Sequence, residues 1–497
     1  MTFEFAFVVV YFAILCILSI YGIHRFVMAT LYRIYRKDIP HPDAKFSDLP
    51  RVTIQLPMFN ERYVIERLID AVCEIRYPRE KLQIQVLDDS IDETQKIAAD
   101  AVARKREQGF DIVYIHRDDR TGFKAGALEA GLKTATGEFV AVFDADFVPQ
   151  PDFLERTIHF FTNEKVGMVQ VRWEHLNREY SLLTRVQSIL LDGHFVIEHT
   201  ARNRSGRFFN FNGTAGIWRK STIADAGGWQ HDTITEDLDL SYCAQSKGWQ
   251  FIYVNESTTP AEVPVEMVAF KTQQHRWAKG SIQVAKKVLP KLLKSRLPFK
   301  VKLEAWMHLT CNISYILMVI LSLMMPLTVE FRVKNSWMTS IWVDAIVFIC
   351  ASVSIMMFYL LAQKEARKQT FMQRLAYLPI VMSLGIGLSI NNCRAVIEAL
   401  VGYKTGFVRT PKYGVTKSGE SFKHVKYGFK LNWQPWVETA MGIYFVWGIV
   451  HAISLGAYAS VPFLALFCTG YLYVGLGTFF GRTGLFAHNR NLIDARA

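Results

Sequence analysis

Apolar runs long enough to cross a bilayer lie at both ends of this 497-residue chain and are missing from its middle. A spanning helix needs about 20 mostly apolar residues, and residues 5–28 supply them, with Glu4 before and Arg33, Arg36 and Lys37 after. Positive charge that follows the run is the reverse of a secretory signal. It predicts an uncleaved anchor with its N-terminus outside and residue 37 onward in the cytosol. Further runs occupy 306–329, 342–361, 437–458 and 463–480. Stretch 371–400 is also apolar, but its second half carries Asn391, Asn392, Arg394 and Glu398, which a lipid-facing span rarely tolerates. We read it as a bent interfacial or re-entrant helix on the cytosolic face, which gives five spans; a sixth span, placing the polar loop 402–430 outside, is the alternative.

The resulting division is a membrane anchor at 1–36 and a cytosolic domain with interface helices at 37–302. Two spans follow at 303–362, then the interfacial segment and loop at 363–432, then two spans and a cytosolic tail at 433–497. Composition agrees: 51% hydrophobic residues against 21% charged exclude a disordered chain. Seven cysteines without a C-x-x-C pair exclude a disulfide framework and a zinc ribbon. The net charge of 57 − 45 = +12 collects beside the apolar runs, so it points to anionic lipid head groups rather than nucleic acid.

Within the middle, short β-branched runs end in polar residues and alternate with helical spacing: a strand at 51–57 and a helix at 61–75, a strand at 83–87 and a helix at 93–108, then strands at 111–115 and 139–143. This alternation predicts an α/β domain with a mostly parallel sheet, whose ligands bind beyond the carboxyl ends of the strands. Acidic residues cluster at those ends. Asp144 and Asp146 in Phe143-Asp-Ala-Asp-Phe147 can share one hard divalent cation with phosphate oxygens, or can form a solvated acidic loop. Thr235-Glu-Asp237 precedes a helix at 238–247, so Asp237 is either a cap or a general base toward a sugar hydroxyl. Gln273-Gln-His-Arg-Trp277 sets a phosphate-gripping guanidinium beside an indole on which a sugar can stack. The same segment, with Lys279, Lys286, Lys287, Lys291 and Lys294, also reads as an amphipathic interface helix with snorkelling lysines.

Taken in order, Gln55-Leu-Pro-Met-Phe-Asn-Glu61, Val86-Leu-Asp-Asp-Ser90, Arg120-Thr-Gly-Phe-Lys-Ala-Gly-Ala127, the two acidic motifs, Phe211-Asn-Gly-Thr-Ala-Gly-Ile-Trp218 and the Q-x-x-R-W motif resemble the family 2 processive glycosyltransferases, most closely the cellulose synthase-like mannan and glucan synthases. The resemblance implies a GT-A-like nucleotide-sugar-binding α/β domain inserted between transmembrane helices of an integral membrane protein of the inner or plasma membrane or the Golgi. Pro57, Asn60, Glu61 and Asp89 would meet the base and ribose, and Lys124 the diphosphate. Asp144 would face ribose and metal, with Asp146 the firmer ligand of Mg²⁺ or Mn²⁺. Asp237 would be the general base. Gln273, Arg276 and Trp277 would hold the donor diphosphate and the acceptor end, with Phe211, Asn212, Gly213 and Glu236 lining the acceptor side.

A counterpart to the family's F-x-V-T-x-K gating loop reads Phe407-Val-Arg409-Thr410-Pro-Lys412, with arginine in place of valine; Thr410 and Lys412 would meet the diphosphate. The implied activity is inverting polymerisation of hexose from UDP-glucose or GDP-mannose into a β-linked, expectedly β-1,4, glycan that the spans pass outward. A single transfer that makes a membrane glycolipid, of the glucosyl-diacylglycerol type, is the alternative.

Overall fold

The computed structural model describes residues 3–335, 346, 349–367, 369–404, 406, 409–415 and 432–480. Seven strands make one sheet: β1 Val52–Met58, β2 Leu82–Asp88, β3 Asp111–His116, β4 Phe139–Val142, β5 Val166–His175, β6 Gly216–Arg219 and β7 Gln250–Ala261. Their spatial order is β3-β2-β1-β4-β6-β5-β7. The first four are mutually parallel, β6 runs antiparallel to both of its neighbours, and β5 and β7 are parallel to each other. The mostly parallel sheet expected from the sequence is therefore present, with one reversed strand that the sequence reading did not separate.

Alternation along β1 and β2 explains why two layers of helix cover this sheet. Val52, Ile54 and Leu56 join Leu82, Ile84 and Val86 in the larger core cluster. The intervening Thr53 and Gln55 pair in register with Gln83 and Gln85. Those four are buried, and a polar group buried without a partner costs several kcal/mol at the upper end, roughly 1–3 in proteins. Here Thr53 donates to Gln83 Oε1 (2.8 Å), Gln55 to Gln85 Oε1 (3.0 Å) and Gln85 to Thr134 Oγ1 (3.1 Å). Only Gly131 fits over this ladder, since a Cβ there would lie 2.5 Å from Gln55 Nε2.

The chain turns from β1–β2–β3 on one side of β1 to β4 on the other, and that reversal opens a crevice at the strand ends. The helix expected at 61–75 begins later, at Ile65–Cys73. Asn60 takes a left-handed φ of 56°, so residues 61–64 form a turn rather than the first helical turn.

Among the described residues, four helices are long and apolar enough to cross a membrane: Phe3–Tyr35, Phe299–Lys334, Gln434–Ser454 and Tyr458–Phe480. The expected span at 342–361 falls partly outside the described residues; its described part continues as the helix Ser354–Ala366. The ambiguous stretch forms Phe371–Gly387 and Ser389–Val401, bent by 41°. Of its polar residues, Asn391, Asn392 and Glu398 are buried. Asn391 donates to Lys271 O (2.9 Å), and Glu398 bonds Lys279 (2.9 Å).

The helix Met267–Lys294 lies beneath this bend and carries the Q-x-x-R-W motif. The snorkelling role expected for its lysines fails for three of them. Lys279 is fully buried against Glu398, Lys287 pairs with Asp232 and Asp239, and Lys286 donates to the carbonyls of Ala399 and Leu400. Lys286, Lys291 and Lys294 of the expected set are exposed without an ion pair among the described residues, and of these Lys286 is tied to backbone carbonyls.

Candidate active site

At the strand ends lies a cavity of about 220 Å³. All the residues singled out from the sequence line it except Asn60 and Phe211. Asn60 instead ties two strand ends together: its N–H donates to Ser90 Oγ (2.7 Å) and its Oδ1 accepts from Ile91 N–H (3.0 Å). The Phe211 ring is fully buried against Trp218 and Trp229, so it supports the loop after it from below and does not face the cavity.

Pro57, Glu61 and Asp89 form one end. Arg117 grips Asp89 with two parallel bonds, Nε to Oδ1 at 2.8 Å and NH2 to Oδ2 at 2.6 Å, a fork that fixes the carboxylate plane. Arg120 lies over the Phe59 ring at 3.3 Å. Together they offer a flat cationic and aromatic surface at the end of β1. Phe123, the residue before Lys124, holds a left-handed φ of 49°, a conformation that costs energy and recurs where function demands it.

Asp144 leaves β4 with its N–H bonded to Thr214 Oγ1 (2.9 Å). Lys124 Nζ reaches Asp144 Oδ1 (2.5 Å) and the Gly213 carbonyl (2.8 Å). Gly213 sits at φ 81°, and a Cβ there would come within 3.0 Å of Asp237 Oδ2 and 3.2 Å of Lys124 Nζ, so glycine is what lets the two approach. Burial opposes a charge on Lys124, but Asp144, Glu236 and Asp237 outweigh it and raise its pKa. Asp237, near the start of the helix Glu236–Ser246, is pushed up to about 7 by burial and then by the neighbouring Glu236. Its Oδ1 accepts only from Leu238 N–H (2.8 Å) among the described residues.

Asn212 is held by Asn210 (3.0 Å) and His199 (2.8 Å), the latter closing a π-helical turn Gly193–His199. Gln170 on β5 supports the same loop through the carbonyls of Thr214 and Ala215.

The segment 409–415 crosses the cavity mouth. Arg409 pairs with Glu61 (2.8 Å), Thr410 Oγ1 accepts from Arg276 NH2 (3.0 Å), and Lys412 pairs with Asp146 (2.7 Å). The arginine that departs from the family pattern thus has a definite partner. Burial pushes Glu61 up to about 7 against the opposing charge of Arg409. Phe407 lies outside the described residues. Burial also lowers Arg276, although Asp144, Glu236 and Asp237 counter it.

Among the described residues no cluster of three or more His, Cys, Asp or Glu could hold a metal unaided. Asp144 and Asp146 fit a hard cation that completes its shell with phosphate oxygens and water, and each carboxylate carries an ammonium, Lys124 or Lys412, at that position. The reading from sequence missed Arg117, Arg120, Trp173, His175 and Glu262, all around this cavity or its first supports.

A family model described as glycosyltransferase like family 2 matches residues 50–280, the stretch that holds the sheet and every motif up to Q-x-x-R-W. Glucomannan 4-beta-mannosyltransferase 1 of Oryza sativa subsp. japonica is 42% identical over 291 residues, 56% of this chain and 55% of the rice protein. Glucomannan 4-beta-mannosyltransferase 2 of Arabidopsis thaliana is 41% identical over 269 residues, 53% of this chain and 50% of the other. The matched region therefore spans about half the length of these relatives. In fold, the chain is similar to a mannosyltransferase from Pyrobaculum calidifontis solved with GDP-Man and Mn²⁺, at TM-score 0.53 and 19% identity over 79% of this chain and all of the other. That likeness supports the GT-A-like architecture expected from the motifs.

Proposed function

We propose that this chain is a multi-pass membrane glycosyltransferase that transfers hexose from a nucleotide-sugar donor, with inversion, to a growing β-linked glycan. GDP-mannose is the favoured donor, because both plant relatives are named for 4-beta-mannosyl transfer to glucomannan; a β-1,4 mannan or glucomannan is the product. The observation that carries the reading is the single cavity in which Asp237, the Asp144–Asp146 pair, Arg276 and Trp277 converge. The exposed Lys291 and Lys294, beside the first apolar run after the domain, meet anionic lipid.

In this reading the Phe59–Arg120 surface receives the base, and Asp89, held by Arg117, takes the ribose. Asp237, with a pKa near neutrality, accepts the proton of the acceptor hydroxyl. The acceptor oxygen bonds to the anomeric carbon from the face opposite the diphosphate, the bond to the diphosphate oxygen breaks, and the nucleoside diphosphate leaves. Arg276 and Lys412 stabilise the departing charge, and Trp277 stacks the acceptor sugar. A divalent cation at Asp144 and Asp146 would add Lewis-acid neutralisation of the diphosphate.

Full-length protein in lipid nanodiscs, given labelled GDP-mannose or UDP-glucose with Mn²⁺ or Mg²⁺, tests this. We expect mannose-containing polymer that a β-1,4-mannanase degrades. A single chloroform-extractable glycolipid would overturn polymerisation, and no nucleoside diphosphate release from either donor would overturn the enzyme reading.

A further inference from the structure

The helix Met267–Lys294 is two-sided at its catalytic motif. Gln273, Arg276 and Trp277 face the cavity. Lys271, His275 and Lys279 recur every four residues and so form a separate stripe along the same helix. Each member of that stripe meets a carboxylate from the membrane-associated half of the chain. Lys271 Nζ lies 2.7 and 2.8 Å from the two carboxylate oxygens of Glu438, near the start of the span Gln434–Ser454. Lys279 Nζ and His275 Nε2 lie 2.9 and 3.2 Å from Glu398 Oε2, on the second limb of the bent pair, and Arg394 holds the other oxygen at 2.8 Å. These pairs are out of water: Lys271 and Lys279 are 5% and 0% exposed, Glu438 and Glu398 0% and 8%.

A buried ion pair adds little net stability over an apolar pair of similar volume, because desolvation offsets the attraction. What it supplies is direction, since one ammonium must meet one carboxylate. The two lysines stand two residues before Gln273 and two after Trp277, so they pin the helix on both sides of the motif. Little slack is left. Gly280, next to Lys279, approaches Thr235 of the acidic motif so closely that a Cβ would lie 2.4 Å from its Cγ2. A small rotation of the helix therefore displaces Arg276, Trp277 and the Thr235-Glu-Asp237 turn together.

We propose that Glu398 and Glu438 are positioning residues of the transfer reaction, setting the rotation of this helix through Lys271, His275 and Lys279 and so holding Arg276 and Trp277 to the donor and acceptor. The inference rests on the reading of those two residues given above. It makes the membrane-associated helices part of the active site's geometry and not only an anchor and a path for product.

The test uses full-length protein in nanodiscs, with Glu398→Gln, Glu438→Gln, Arg276→Ala and the doubles that join each glutamine variant to Arg276→Ala. Turnover and affinity for nucleoside diphosphate are measured for each. We expect each glutamine variant to lose at least tenfold in kcat, and to cost clearly less than that same factor when Arg276 is already alanine, because part of the effect runs through that side chain. Kcat within twofold of the parent in the folded single variants, or losses that multiply in the doubles, would overturn the inference while leaving the proposed activity intact. Full turnover by Arg276→Ala would overturn the reading of the motif and this inference with it. Where Glu438→Gln fails to fold, the exchange Lys271→Glu with Glu438→Lys replaces it: recovered turnover supports positioning, and a folded but inactive exchange contradicts it.

Discussion

The two ends of the cavity treat their carboxylates differently. At the end of β2, Asp89 is locked by both arms of Arg117. At the other end, Asp144, Glu236 and Asp237 share the single ammonium of Lys124 and the more distant charge of Arg276, and Asp237 has no ion pair among the described residues. A carboxylate with its own guanidinium is a fixed acceptor, suited to gripping a hydroxyl. One left among like charges in a desolvated site holds its proton to near-neutral pH and can exchange it. In the proposed reading, the difference separates binding from proton transfer along one cavity.

The comparison breaks most visibly at Asp237. Asp237→Asn keeps the shape and removes the base, so kcat falls by about 10²–10⁴-fold, while affinity for the nucleoside diphosphate, read by calorimetry, stays near the parent value. Chelation of divalent cations comes next: with EDTA, transfer falls to background and returns on adding Mn²⁺ or Mg²⁺, as expected if Asp144 and Asp146 hold the cation.

Arg117→Ala should act on the other end. It frees Asp89 and raises the donor KM by roughly tenfold, in keeping with about 1.5–3 kcal/mol for a charged hydrogen bond, with kcat little changed. A loss confined to kcat would contradict the division of labour.

The pH profile sharpens the account further. The base must be ionised, so with the pKa of Asp237 at about 7, activity should rise with pH through neutrality and then level. Glu236→Gln removes a neighbouring negative charge that raises that pKa, so the acid limb should move to lower pH, by about half a unit to one unit. A limb that stays in place would show that another group controls it. The smallest effect is expected at the cavity mouth, where Arg409→Val restores the family's residue; Glu61, already pushed up to about 7 by burial, can take up a proton when its partner is lost, so donor KM should change by about threefold or less.

Much of this site was legible because it is built at strand ends. Each of β1, β2 and β4 is a short apolar run with a proline or an acid at or next to its carboxyl end, so Pro57, Asp89 and Asp144 could be placed at one edge of a sheet before any fold was known. The helix carrying Q-x-x-R-W was legible from its motif. Other features were not. Gly216–Arg219 is a four-residue strand whose reversed direction is decided by pairing with β4 and β5, not by its own pattern. Asn60 and Phe211 belong to motifs, but the first is used by its backbone turn and the second by the core. Lys279 looked like a surface lysine because its partner, Glu398, lies 119 residues away. Gln170 reads as a polar residue in a strand, and only the loop that lands on it reveals its role.

The central claim is that this cavity transfers mannose with Asp237 as the base. The most direct measurement follows nucleoside diphosphate release and mannanase-sensitive product from GDP-mannose, in parallel for the parent protein and Asp237→Asn in nanodiscs at pH 8. The account predicts release coupled to polymer in the parent, and loss of both in a variant that still binds the donor. Undiminished polymer from Asp237→Asn would contradict it.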